Sequence, residues 1–210
     1  MPTMTRSLVA AAAFAVVSAA MPAFAGPPLI CHPFETRGGA LLPWGASGAS
    51  TSWNAPLASY DTTHLAGDVI KLLDSDAPVL TRMENLRRAT IYAQKDAVVA
   101  RQLLDVVLDR ATRTGGPQAK FDAGYLIESY KQAAAIRLRQ GQSWAAVDET
   151  IKIDGYGFVK KALAMTGTPN PEMEFAASLM TQGSVSTEHR ARAVSAAANG
   201  SPLAMNLAKY

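Results

Sequence analysis

One cysteine, Cys31, stands in 210 residues, so no disulfide can close within the chain and its stability has to come from packing. Also missing are a C-x-x-C or H-E-x-x-H pair, a G-x-S-x-G elbow, a glycine-rich phosphate loop and a carboxylate-rich calcium loop. Those gaps remove the local signatures of most metal, hydrolase and nucleotide sites. Charge of one sign is scarce as well. Lys and Arg total 20 against 17 Asp and Glu, and the densest basic group is Arg82 with Arg87 and Arg88, so no nucleic-acid footprint is indicated. No convincing strand-like alternation occurs anywhere, which excludes a sheet as the organising element.

What is present is helical periodicity. Residues 77–113 read as two helices joined by a short turn at Gln94-Lys95-Asp96. Val79, Met83, Leu86, Thr90 and Ala93 fall on one stripe of the first helix, with Glu84, Arg87 and Arg88 on the charged side opposite. Ala100, Leu103, Leu104, Val107 and Ala111 repeat the geometry in the second helix, which Asp96 should cap. The two stripes predict an αα-hairpin that needs further helices on top.

Around this hairpin, Asp61 or Thr62 should start a helix carrying Leu65, Val69, Leu72 and Leu73, with Asp74-Ser75-Asp76 ending it and capping the next. A fourth helix is expected from about Ala119 to Leu138, and Gly141 stops it. Ser143 would open a helix through Trp144, Val147, Ile151 and Ile153, with a kink or loop at Gly155 and Gly157. Asn170-Pro171-Glu172 is the clearest helix start, Ser186 or Thr187 begins another, and Ser201 caps a last one. The expected fold is all-α: an irregular stack of seven to eight helices in hairpins over residues 61–210, with a closed bundle as the alternative. Tyr92, Ala100, Leu104 and Val107 give the hairpin a tetratricopeptide-like character.

The first 25 residues differ. One charge at Arg6, an apolar run from Leu8 to Val17 and a closing Ala23-Phe24-Ala25 predict a secretory signal peptide cleaved before Gly26, hence a periplasmic or secreted protein. The run is shorter than the ~20 residues of a membrane span. Residues 26–60 then form an irregular arm, rich in Pro and Gly, that should lie along the helical body because Leu29, Ile30, Phe34, Leu41, Leu42, Trp44 and Trp53 are too apolar for a free tail. Within it, Gly45 to Ser50 is the expected flexible surface stretch.

The reactive candidates are few. Cys31, His32 and Glu35 bring together the donors of a thiol or metal site, though neighbours in an extended segment point apart. A single-thioether haem is the related idea, with Pro28 where C-x-x-C-H would have its first cysteine. His64 or His189 would be the distant base for a Cys–His pair, and His64 with Asp68 shares a helix face. Trp44, Trp53, Tyr125 and Tyr130 are the candidate lining of a ligand groove, with core packing as the other use. No cofactor is assigned.

Leu29-Ile30-Cys31-His32, Leu42-Pro43-Trp44, Met83-Glu84-Asn85-Leu86-Arg87-Arg88-Ala89 and Phe121-Asp122-Ala123-Gly124-Tyr125 together resemble a group of uncharacterised exported bacterial all-helical proteins. The resemblance covers the arm and the first four helices and implies no activity. The expected function is therefore an exported scaffold that binds a protein or peptide. The alternative is a thiol, metal or haem protein centred on Cys31, His32 and Glu35, and an intermolecular disulfide at Cys31 is a third use of the odd cysteine.

Overall fold

The computed structural model describes residues 28–36, 38–45, 54–144 and 150–210. The signal-type segment, Trp53 and most of the Gly45–Ser50 stretch lie outside the described residues. After a 3-10 turn at Thr62–His64 come α1 (Leu65–Leu73), α2 (Val79–Ala93), α3 (Ala97–Arg113) and α4 (Pro117–Arg139). A second 3-10 turn at Thr150–Lys152 leads to α5 (Gly155–Met165), α6 (Pro171–Met180), α7 (Gly183–Ala196) and α8 (Pro202–Lys209). The fold is all-α, built of packed hairpins, and the described residues contain no strand. No helix among them is long and apolar enough to cross a membrane.

Helix α2 is the axis. It packs on α1, α3, α4 and α6, and every one of its residues except Arg88 is buried. The expected apolar stripe faces the other helices. Its charged side, read from the sequence as a solvated face, is instead covered by the arm. Glu84 does pair with Arg87 and Arg88, but within the interior.

The arm is held by its backbone. Glu84 Oε2 accepts from the Phe34 N–H at 3.1 Å, and the Asn85 amide both accepts from Leu42 N–H at 2.9 Å and donates to the Ala40 carbonyl at 3.0 Å. Arg87 donates to the Ile30 carbonyl, Arg88 to that of Leu42 and Tyr92 to that of Pro43. From the other end of the chain, the Asn206 amide clasps Glu35, accepting its N–H and donating to its carbonyl, while the Tyr210 hydroxyl donates to the His32 carbonyl. An extended segment has no partner strand for its N–H and C=O groups, and buried ones must be satisfied. Side chains of α2 and α8 supply what a sheet would. Leu29, Ile30, Phe34 and Leu42 can then sink into the core, with Phe34 stacked on Tyr210.

A second polar knot fixes α1. Asp122, fully buried on α4, receives Arg82 at 2.6 and 2.9 Å and Arg110 at 2.9 Å, and both guanidiniums also donate to the Leu73 carbonyl at the end of α1. Cations thereby meet the negative end of a helix.

Most caps sit where the residues place them. Asp96 accepts from Val98 and Val99 N–H, Asn170 from Met173 N–H and Ser201 from Ala204 N–H. Others differ. Asp61 caps the 3-10 turn rather than α1 itself. The start of α2 is capped not by Asp74 to Asp76 but by the Glu172 carboxylate from α6, which accepts from Leu80 N–H at 3.1 Å. Gly183 opens α7 with a φ of +63°, three residues before the expected start at Ser186. Residues 145–149 of the helix expected after Ser143 lie outside the described residues, and Ile151 belongs to the second 3-10 turn. Gly155 and Gly157 make no kink, because they form the first turn of α5. Gly155 is needed there for contact: a Cβ on Gly124 would lie 2.5 Å from the Gly155 carbonyl oxygen, and one on Gly155 would lie 2.8 Å from that of Gly124. Paired glycines let α4 and α5 cross at backbone distance.

Candidate functional site

The arm's reactive residues are spent differently from one another. Cys31 is half-buried, and burial pushes its thiol up, with only the Arg87 charge opposing. His32 is half-buried too; burial, then the Lys209 and Arg87 charges, push its imidazole down. Both directions favour the neutral thiol and neutral imidazole over the thiolate–imidazolium pair that activates a cysteine nucleophile. The His32 ring meets Tyr210 edge-on at 5.4 Å. Glu35 points outward to Lys209 at 3.7 Å while its backbone is gripped by Asn206. Among the described residues, no group of three or more His, Cys, Asp or Glu side chains is arranged to hold a metal ion.

The aromatic candidates separate as well. Tyr125 and Tyr130 are fully buried, so neither lines an open groove. Tyr125 packs against Phe34 and Phe121, and Tyr130 packs at a tilt on Trp144 and donates to the Ala100 carbonyl. Trp44 lies half-buried across the seam, its ring under both Arg87 at 5.0 Å and Arg88 at 5.5 Å. His64 pairs with Asp61 rather than with Asp68, which instead accepts from the Tyr60 hydroxyl.

The group the sequence pattern missed lies where α5, α6 and α7 meet. Tyr156 on α5 and His189 on α7 join through the phenol oxygen and Nε2 at 2.7 Å. His189 Nδ1 meets Glu174 Oε2 from α6. Nδ1 thus meets an acceptor in Glu174 and a donor in Arg192, and the direction of the Tyr156–Nε2 bond follows the tautomer. Burial pushes the Tyr156 phenol up, which favours the protonated hydroxyl. Arg192, one turn beyond His189, pairs with the same Glu174 oxygen at 2.9 Å, and its Nη2 lies 2.7 Å from His189 Nδ1. Glu174 and His189 are buried, whereas the Arg192 side chain is 49% exposed.

Glu174 and Arg192 also line a surface depression of about 320 Å³. Its other walls are Leu163, Ala164, Thr166, Gly167, Thr168 and Pro169, the end of α5 and the turn into α6. A buried carboxylate and a half-open guanidinium therefore reach one hollow of mixed apolar and threonine walls, with the His189 imidazole bonded to that carboxylate. Sequence spacing carries no trace of it, because Tyr156 and Glu174 lie 33 and 15 residues from His189. Compared with known families, curated proteins and solved structures, the chain matches none.

Proposed function

We propose that this chain is an exported helical scaffold that binds a protein or peptide partner in the periplasm or outside the cell, and that its hairpins belong with tetratricopeptide-like helical repeats. The observation carrying this reading is how the Cys31–Glu35 segment is used. Its backbone is fixed by Asn206, Tyr210 and Glu84, and its thiol and imidazole are both biased toward their neutral forms. The segment that a thiol or haem reading needs thus serves as a tie between the two ends of the domain. What remains is a rigid helical surface, the usual platform for a macromolecular partner, which is support by analogy of architecture.

The test is cross-linking of the processed protein in its own compartment, with the parent chain and Cys31→Ser side by side. The scaffold reading expects the same cross-linked species from both, and an intact mass starting at Gly26. A species that needs Cys31, or a mass adduct on Cys31, would overturn it.

A further inference from the structure

The hollow at the α5–α6 turn has the chemistry of a small zwitterion's complement. Glu174 Oε2 takes both His189 and Arg192, whereas Oε1 accepts no hydrogen bond within the described residues. Arg192 uses Nε and Nη2 in the cluster, and Nη1 makes no bond within the described residues. One carboxylate oxygen and one guanidinium end are therefore unused within the described residues, and both side chains line a hollow shared with Leu163, Ala164, Thr166, Gly167, Thr168 and Pro169. Its volume lies at the small end of the ~300–1,000 Å³ range of ligand sites. The last turn of α5 ends at this hollow, and the partial negative charge of a helix C-terminus favours a cation there.

We infer that the hollow binds a free α-amino acid with an aliphatic side chain. Its ammonium donates to Glu174 Oε1, its carboxylate accepts from Arg192 Nη1, and its side chain lies on Leu163, Ala164 and Pro169. Tyr156 and His189 are positioning residues: they touch no ligand, and they fix the Glu174 carboxylate from behind. A lone anion would meet the Glu174 charge and a lone amine the Arg192 charge, so the pair selects a ligand carrying both. This inference goes beyond the scaffold reading and does not depend on it.

The experiment titrates L-leucine, N-acetyl-L-leucine and L-leucinamide into the processed full chain by calorimetry, with amide NMR shifts locating the site. L-leucine is expected to saturate and to move the amides of Leu163, Thr166, Gly167 and Thr168. Each derivative, lacking one charge, should bind roughly tenfold more weakly or worse, the scale of one lost charge-assisted hydrogen bond. Arg192→Gln, on a half-exposed side chain, should lose the same factor while its thermal unfolding stays close to that of the parent. Equal binding of N-acetyl-L-leucine, shifts elsewhere on the molecule, or no saturation by ~10 mM L-leucine would overturn the inference.

Discussion

Glu84 and Glu174 are both buried acids paired with arginine, yet they are used in opposite ways. At Glu84 both oxygens are saturated: Oε1 accepts from Arg87 and Arg88, and Oε2 from Arg87 and the Phe34 backbone. At Glu174 one oxygen carries the histidine and the arginine, the other accepts no bond within the described residues, and the side chain lines a hollow. A carboxylate whose acceptor sites are all filled by its own chain is a structural joint. One with a free oxygen, paired with a guanidinium that has a free end, retains capacity for something outside the chain. The comparison separates the seam that makes the fold from the corner that is available for recognition.

Removing the saturated acid should have the largest effect. Glu84→Ala takes the carboxylate from the buried Arg87 guanidinium and frees the Phe34 amide, so a loss of about 3–5 kcal/mol is expected in chemical unfolding. Acid should attack the same joint. Burial raises the Glu84 carboxyl, but the hydrogen bonds and charges of Arg87 and Arg88 outweigh it and hold the group below its ordinary value. A lowered native pKa adds stability in full above the unfolded value of about 4.3, and that stability fades as pH falls through the lower folded value. Unfolding measured against pH should therefore weaken below about pH 4, and Glu84→Gln should flatten that limb of the curve.

Next in size is Gly124→Ala. In an open helix this change stabilises by about 1 kcal/mol, but here the new methyl meets the α5 backbone. A net loss of about 1–3 kcal/mol is expected instead, together with NMR shifts at the α5–α7 corner larger than those in the arm. Asn206→Ala strands the Glu35 N–H and carbonyl at the partly buried end of the seam and should cost about 1–2 kcal/mol, read from the thermal midpoint. The smallest effect belongs to Arg192→Gln. Its side chain is half in water, so stability should change by less than about 1 kcal/mol in the same assay. An Arg192 change as damaging as one at Glu84 would break the contrast between seam and corner.

Much of the frame is legible in the residues themselves. The α3 stripe is buried as its spacing predicts, and Asp96, Asn170 and Ser201 cap the helices they precede. These are local signals, written within one or two turns. The burial of the α2 charged face is not local: Glu84 and Asn85 are covered by residues 50 and 43 positions earlier, and an irregular arm has no period to announce where it lies. The motifs at Leu29, Leu42, Met83 and Phe121 become intelligible only together, since the arm, α2 and α4 meet through Phe34, Glu84 and Tyr125. For the candidate site, Cys31, His32 and Glu35 are visible because they are near one another in the chain. Tyr156, Glu174 and His189 are invisible because three helices bring them together.

Backbone amide hydrogen exchange at Phe34 and Leu42 tests most directly whether the arm is part of the core. Both N–H groups donate to buried side chains of α2, so they should exchange only through global unfolding, at the rate of the Leu86 and Tyr92 amides. Exchange at those two positions as fast as in an exposed loop, with α2 still protected, would mean that the seam does not hold the arm and that the contrast between Glu84 and Glu174 fails.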